Sequence, residues 1–508
     1  MSRAPLELEL PDGLDEAAVL ALLADRLSVT VGRARTADRV LLDTFDARLR
    51  EAGLHAEWPA RRAAKRRLTL REAALPDRRA DVADARAVLA PALPAGPLRD
   101  RLAPVLEERA LLPVARVRNL TVPVAVLNDD EKTVVRLALE HSAVGDTALA
   151  PRLLVEPVRG YEREFERAVA RLRLAPAEVT LYDAAVTAAG GRPEGVQTKV
   201  RAELKPGTRS DVAAGMVLMP LADVAEANVP GVLEDLDTEF LHDLRVSIRR
   251  ARSVLRELAG VHPVEERARL RDELKWAQAM TGPVRDLDVQ LLEWDALSAS
   301  TNGDLEPLRR LLERRRRQEL VKLRSGLRSR RFAAVLDAWC ALASAPPAPA
   351  DAADQPRAAV PIEAVAADRI RRVYRRMVRD GRLIGDDCPN EDLHELRKRG
   401  KELRYLLELF GDLYPADVVK PMVRALKDLQ DVLGHFQDRS VQTDMLRATA
   451  EELAGLRDGP GAVLAAGRLI AELEADQRDT REHFAERFAA FASSEQRKIV
   501  RHTFKKVG

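Results

Sequence analysis

The period at which apolar and polar positions alternate changes once along this chain. Residues 6–10, LELEL, alternate apolar with acidic positions, the two-residue period of a half-buried strand. Short apolar runs at 40–45, 68–71, 114–120, 134–140 and 153–158 predict further strands, while 16–27 and 162–174 carry helical spacing. Many short strands with few helices predict an antiparallel sheet, closed or nearly closed into a barrel, over residues 1–190. The stretch AAGGRPEG at 188–195 has linker composition and sets a domain boundary within 191–215. From 216 to 508 helical periods dominate, with helices expected at 239–258, 263–280, 288–297, 305–342, 362–380, 391–413, 418–434, 438–456 and 462–506. A Pro/Ala-rich stretch at 343–359 reads as a disordered tether between the halves 216–342 and 360–508. The expected class is α+β: a barrel-like sheet domain followed by an all-α pair of four-helix bundles.

The helical region repeats itself. HDLRVSIRRAR at 242–252 recurs as HELRKRGKELR at 394–404, an offset of 152 residues. His242 falls on His394, Arg245 on Arg397, Arg249 on Lys401 and Arg252 on Arg404. The register continues through Lys275 on Lys427, Gly282 on Gly434 and Asp286 on Asp438. A self-match held at one offset is an internal duplication, so a pseudo-twofold axis between the bundles is expected.

On a helix these four positions fall within an arc of about 80° and form a stripe about 15 Å long. Arg256 extends the first stripe, whereas Glu408 stands at that place in the second. The adjoining face carries Leu244, Ile248 and Leu255 in one copy and Leu396, Leu403 and Leu406 in the other, so each helix is amphipathic. Like charges at such spacing destabilise a helix by about a few tenths of a kcal/mol per pair. Residues 241–256 nevertheless hold five arginines against one acid, Asp243. The stripe therefore calls for an anion with a row of charges, a polyphosphate or a nucleic-acid backbone. The alternative is neutralisation by acids of neighbouring helices, with Asp286, Asp288 and Asp438 as candidates. The run 369–379, with six arginines, and the clusters at 314–317 and 330–331 add to the positive field.

The candidate anion contacts are His242, Arg245, Arg249, Arg250, Arg252, Arg256, Lys275 and Arg285 in the first half. In the second they are Arg372, Arg375, Arg376, His394, Arg397, Lys398, Lys401, Arg404 and Lys427. No His-x-x-x-His or cysteine cluster accompanies His242 or His394, so a hydrogen bond to a phosphate oxygen, or local packing, is expected of them rather than metal ligation. Asp286 and Asp438 are expected to pair with stripe arginines.

Composition narrows the setting. At 508 residues, two or three domains are expected. The net charge of +2, from 83 basic and 81 acidic side chains, hides the local asymmetry. Two cysteines, Cys340 and Cys388, cannot build a disulfide framework and fit a reducing compartment. The first residues lack the layout of a signal peptide, and no run of about 18 apolar residues occurs, so no membrane span and a cytoplasmic location are expected. Arginine outnumbers lysine, which a GC-rich genome explains without function. Aromatics make up 4% of the chain and do not interleave the basic stripes, which argues against single-strand stacking but leaves duplex binding through phosphates open.

Two family resemblances follow from these motifs. Asp43-Thr44-Phe45-Asp46, with Leu49 and Gly53, resembles the DT-x-D-x-x-L-x-x-x-G segment of CYTH domains, the triphosphate tunnel family. That resemblance implies an eight-stranded tunnel that acts on triphosphates with a divalent metal. Active members begin with Glu-x-Glu-x-Lys; here Glu7 and Glu9 are followed by Pro11, which also removes a ladder donor. Arg71, Arg109, Arg116, Arg118 and Arg136 are candidates for a basic lining, and Glu7, Glu9, Glu140 and Glu156 for metal oxygens. The missing lysine favours a degenerate barrel, kept as scaffold or weak anion site. The duplicated stripes, with LHELRKRGKELRYLLELF and LKDLQDVLGHFQD in the second copy, closely resemble the CHAD domain over roughly 216–508. That resemblance implies two four-helix bundles with a basic channel between them that binds inorganic polyphosphate. The two resemblances support each other, since CHAD domains commonly follow CYTH domains.

The expected function is therefore non-catalytic binding of inorganic polyphosphate, free or in granules, with no cofactor. Triphosphatase activity in 1–190, which alone would need a divalent metal, and binding of DNA phosphates are the alternatives.

Overall fold

The computed structural model describes residues 6–11, 16–72, 75, 77–299, 301, 304–349, 351–385 and 388–505. The chain forms two compact units, Met1–Thr198 with Asp235–Glu239, and Lys199–Glu234 with Phe240–Gly508.

The first unit runs β1 (Leu6–Glu9), α1 (Glu16–Arg26), β2 (Val29–Val31), β3 (Arg35–Asp43), α2 (Arg48–Glu51), β4 (Leu54–Pro59), β5 (Lys65–Glu72), β6 (Arg78–Ala83) and α3 (Pro97–Leu106). It continues through β7 (Leu112–Leu127), β8 (Thr133–Val144), β9 (Thr147–Ala148), β10 (Arg152–Pro157), α4 (Glu162–Leu172) and α5 (Leu181–Ala188). The strands build one antiparallel ten-stranded sheet, ordered β1-β10-β8-β7-β3-β4-β5-β6, with β2 on β7 and β9 on β8. Among the described residues no ladder joins β1 to β6; the outer edge of β1 instead bonds residues 175–177.

Strand alternation sorts the two faces. Leu8, Leu153, Val155, Leu137 and Leu139 point to one side and are buried under α1 and α4, whose own contributions include Leu23 and Phe165. The opposite face is polar. Register aligns Glu9, Arg152, Glu140 and Thr121 across four strands. A chain of contacts crosses this face: Arg71 to Glu57 at 2.8 Å, Glu57 to Arg39 at 3.0 Å, Arg39 to Glu140 at 3.8 Å, and Asn119 to Glu140 at 3.0 Å. Helix α5 covers one part of it, burying Tyr182, Ala185 and Val186 against Leu41, Ala115 and Val117.

The second unit holds α6 (Ser210–Glu234), α7 (Thr238–Glu257), α8 (Val264–Met280), α9 (Gly282–Leu292), α10 (Trp294–Ser298), α11 (Glu306–Leu327) and α12 (Arg330–Ala343). Then come α13 (Ile362–Gly381), α14 (Asn390–Phe410), α15 (Ala416–Ala454), α16 (Gly459–Phe491) and α17 (Ser494–Thr503). The offset of 152 carries 210–234 onto α13, 238–257 onto α14 and 264–298 onto α15. The entry prolines Pro263 and Pro415, both in extended backbone before their helices, correspond at the same offset. The two halves share one apolar core, in which Trp294, Leu308 and Leu312 pack with Leu446, Leu453 and Leu469.

Several helix bounds differ from the sequence reading. The two helices expected at 418–434 and 438–456 are one helix of 39 residues, because nothing between them interrupts the backbone bonds. Their counterpart in the first half is broken at Thr281, where Gly282-Pro283 follows and Pro283 has no N–H for the carbonyl four residues back. The single helix expected at 305–342 breaks at Ser329, whose side chain caps α12 by accepting from Phe332 N. Ser493 interrupts 462–506 in the same way, accepting from Gln496 N.

The stretch read as a disordered tether is held to the start of α6. Ser210 N donates to Val360 O at 2.9 Å, Ala348 N donates to Asp211 Oδ2 at 2.9 Å, and Ala358 is 1% exposed. The Ser210 N bond, with that of Asp211 N to Ala358 O at 3.1 Å, satisfies donors that a helix N-terminus leaves without intrahelical partners. Among the described residues one helix, α6, is long and apolar enough to cross a membrane, with mean hydropathy 1.4 over its most apolar window. Half of that window is buried inside the protein.

Candidate anion-binding site

The two duplicated helices keep their cationic stripes, but the structure uses them differently. In both copies the first stripe arginine lies against a glycine, Gly282 at the start of α9 or Gly434 within α15. A Cβ at Gly282 would sit 3.6 Å from Arg245 Nη1, and one at Gly434 would sit 4.0 Å from Arg397 Nη2. In the first copy the helix break takes the guanidinium: Arg245 Nη1 donates to Gln278 O and Thr281 Oγ1, each at 2.9 Å. In the second copy α15 is unbroken, so its carbonyls stay in the helix. Arg397 instead reaches Asp438 at 3.5 Å.

A cavity of about 450 Å³ opens there, lined by Arg397, Lys401, Arg404, Gln430, Asp431, Gly434, His435 and Asp438. Arg404 Nη1 donates to Gln430 Oε1 at 3.1 Å, and its Nε lies 3.2 Å from Glu408. His435 Nε2 is 2.9 Å from Asp476 Oδ2, which Arg439 Nε also approaches at 2.5 Å. The first half contributes Arg249, whose guanidinium lies 5.6 Å from the Tyr405 ring, while Arg404 lies 5.8 Å from the same ring. Among the described residues neither Arg249 nor Lys401 forms an ion pair. Burial, followed by Arg397, Arg249 and Arg404, pushes the half-buried Lys401 ammonium down to about 8, against the opposing pull of Asp438. Like charges from both halves therefore crowd one amine.

The remaining sequence-predicted residues are distributed as follows. His394 Nδ1 is 2.5 Å from Gln437 Oε1. His242, Arg252 and Arg285 are half-buried on their helices, and burial lowers Arg252 before its neighbours Arg256 and Arg271 do. Arg250 is buried and donates to Val200 O at 3.2 Å. Arg256 pairs with Glu257 at 2.5 Å, Lys398 with Glu395 at 2.6 Å and Arg372 with Asp368 at 2.8 Å. Lys275, Lys427, Arg375 and Arg376 are exposed. Lys427 lies on the helical face that also carries Asp431, Gly434 and Asp438. Of the expected acid partners, Asp438 meets its stripe arginine, while Asp288 pairs with Arg316 at 2.5 Å.

The sequence reading missed Gln430, Asp431, His435 and Tyr405. Gln430 had a signal, since its counterpart at the 152 offset is Gln278. His435 had none, because Pro283 occupies the equivalent place.

In the sheet unit the DT-x-D segment is a turn stabilised from within. Buried Asp43 accepts from Thr44 N, Leu49 N, Arg50 N and the Tyr182 hydroxyl, and Thr44 Oγ1 donates to Asp46 Oδ1 at 2.7 Å. Of the proposed basic lining, Arg71 and Arg136 lie on the polar face. Arg116 and Arg118 point to the opposite side of the sheet, where both lie near Asp38, because they alternate with Val117 and Asn119. Arg109 is buried, with Nε 3.7 Å from Asp46. Glu7 pairs with Arg152 at 2.9 Å and accepts from Leu181 N at the start of α5. Glu140 is engaged by Asn119 and Arg39, Glu9 is exposed, and Glu156 sits opposite Arg136. Among the described residues no three His, Cys, Asp or Glu side chains converge to hold a metal ion. Of these four glutamates, Glu7 and Glu140 are committed to arginines, a backbone N–H and an amide.

The geometry defines two units, one a sheet and the other a duplicated helical unit with a cation-lined cavity. The sequence model of the CHAD domain matches residues 217–447, so the helical unit carries a CHAD domain, a family linked to polyphosphate binding. The ten-stranded antiparallel sheet is consistent with a CYTH-like tunnel. Two uncharacterized proteins of Mycobacterium tuberculosis, from strains CDC 1551 and H37Rv, are each 33% identical over 227 residues, covering 43% of this chain and 42% of their own. The chain thus matches less than half the length of these relatives. Among solved structures, the CHAD domain from the plant Ricinus communis is similar at a TM-score of 0.46 and 23% identity, over 57% of this chain and 96% of its own. PptA from Streptomyces chartreusis is similar at a TM-score of 0.41 and 22% identity, over 55% and 99%.

Proposed function

We propose that the helical unit binds inorganic polyphosphate without chemical conversion, through the cavity between α14 and α15 and the Arg249 side chain beside it. The observation that carries this reading is the convergence of Arg397, Lys401 and Arg404 on one cavity, with Arg249 from the other half, while Lys401 and Arg249 form no ion pair among the described residues. A linear polyanion relieves that repulsion and gains charge-assisted hydrogen bonds at regular intervals. The exposed Lys427, on the same face of α15, extends the cationic track beyond the cavity. Each contact is screened by salt, so binding weakens as ionic strength rises.

Retention of long-chain polyphosphate on immobilised protein tests the proposal. Arg397→Glu with Lys401→Glu is expected to abolish retention while the helical circular-dichroism signal persists; full retention by this folded variant overturns it. Competition with duplex DNA at fixed salt separates the two polyanions, and polyphosphate is expected to displace DNA.

A further inference from the structure

We propose that Lys401 is a self-acylation site for small acyl phosphates, whose phosphoryl group is held by Arg397 and Arg404 in the same cavity. This inference rests on the anion-binding reading of that cavity and adds a reaction to it.

Three features meet at this lysine and at no other described one. It is half-buried, it forms no ion pair, and it shares its cavity with two guanidiniums that suit a phosphoryl group. The cavity, about 450 Å³, admits a small two-ended molecule. Burial beside other cations leaves a larger share of its amine uncharged near neutral pH, the condition under which a lysine becomes a nucleophile. Exposed Lys427 and salt-bridged Lys398 lack that setting.

The reaction balances without a further reagent. The uncharged Nζ attacks the acyl carbon and a C–N bond forms. The acyl C–O bond to phosphate breaks, its electron pair leaves on the phosphate oxygen, and one amine proton passes to that phosphate. The products are an amide at Lys401 and inorganic phosphate. The amide carries no charge, so acylation removes one of the cavity's cations and weakens its hold on polyanions.

The test is incubation of the full chain with acetyl phosphate, followed by peptide mass spectrometry at each lysine. Lys401 is expected to acetylate about tenfold faster than Lys427, with a rate that saturates in acetyl phosphate and is blocked by pyrophosphate. Arg404→Gln is expected to raise the half-saturating concentration while leaving the Lys427 rate unchanged. Equal rates at Lys401 and Lys427, or a Lys401 rate that neither saturates nor responds to pyrophosphate, overturn the inference. Polyphosphate retention by the unmodified protein is measured alongside. Retention without selective acetylation removes this inference alone, whereas selective acetylation without retention removes only the polyphosphate reading.

Discussion

Arg256 of α7 lies 3.6 Å from Glu402 of α14, and the duplication carries this pair onto one of inverted polarity, Glu408 acting on Arg250. The two helices therefore face each other across the pseudo-twofold with opposite charges at equivalent sites. A pair of identical copies would place arginine on arginine or glutamate on glutamate there. The inversion favours pairing of one half with the other over pairing of like halves.

The same junction yields a pH prediction. Glu402 hydrogen-bonds Glu257, and burial followed by the Glu257 charge raises its carboxyl above the ordinary value of 4.5. Burial also opposes Glu257, but Arg256 and Arg369 outweigh it and hold that carboxyl low. A carboxyl raised in the folded state adds stability only at acid pH; the contribution is full below about pH 4.5 and is lost as pH rises through the folded value. Glu402→Gln is expected to stabilise the helical unit by about 1 kcal/mol at pH 7 and to have little effect near pH 4. Urea midpoints at the two pH values measure this, and a loss of stability at pH 7 counts against the shared-proton pair.

Lys401 predicts a pH limit on polyanion binding. Its ammonium, pushed down to about 8, discharges as pH rises, so affinity is expected to fall several-fold between about pH 7 and pH 9. Lys401→Arg keeps the charge throughout and is expected to flatten that profile. Polyphosphate titrations at constant ionic strength would decide it, since an unchanged slope in the arginine variant assigns the pH dependence elsewhere.

His262 predicts an acid limb in stability. It is 3% exposed, its Nε2 has no hydrogen-bond partner, and burial pushes it down to about 4, with Arg267 adding to the depression and Asp211 opposing it. A depressed histidine contributes stability above its unfolded value of 6.5 and loses it as pH falls toward the folded value. The helical unit is expected to lose up to about 3 kcal/mol over that window. His262→Leu should remove most of this slope; denaturation midpoints at about pH 7 and pH 5, compared between the two proteins, provide the check.

Asp43 predicts that the DT-x-D segment is structural. Burial raises its carboxyl, and the four hydrogen bonds that the carboxylate accepts offset that only in part. Asp43→Asn exchanges one acceptor oxygen for a donor and is expected to destabilise the sheet unit by about 1–3 kcal/mol. Polyphosphate retention should not change. Thermal melts and retention measured on one preparation test both halves of this expectation, and a retention loss with intact melting would move the segment into the binding machinery.

Much of the architecture could be read in advance because it rests on local periodicity. The two-residue alternation in β1, β8 and β10 and the helical spacing of α7, α13 and α14 place apolar residues on one side of each element, whatever the element meets. The strands β2, β4, β6 and β9 and helices α2, α3, α5 and α6 escaped notice. All but α6 are short, and burial there comes from distant partners, as Tyr182 shows by packing on Leu41 and Val117; α6 is apolar along most of its length and carries little amphipathic spacing. The single turn at Pro283 had a backbone signal, a missing N–H, yet its consequence for Arg245 did not, because that side chain answers to a carbonyl on another helix.

The sequence by itself determined the duplication, the two cationic stripes and the sheet-then-helix order, since each follows from residue spacing alone. Only the tertiary structure decided which stripe residues stay available. Arg245 is absorbed by the broken helix, Arg250 is buried against Val200, and Arg256 is taken up by Glu257 and Glu402. Arg397, Lys401 and Arg404 remain around a cavity because their facing helix is continuous and spends its carbonyls internally. Charge is a property of the residue, but whether that charge is already neutralised depends on the neighbours that folding brings to it.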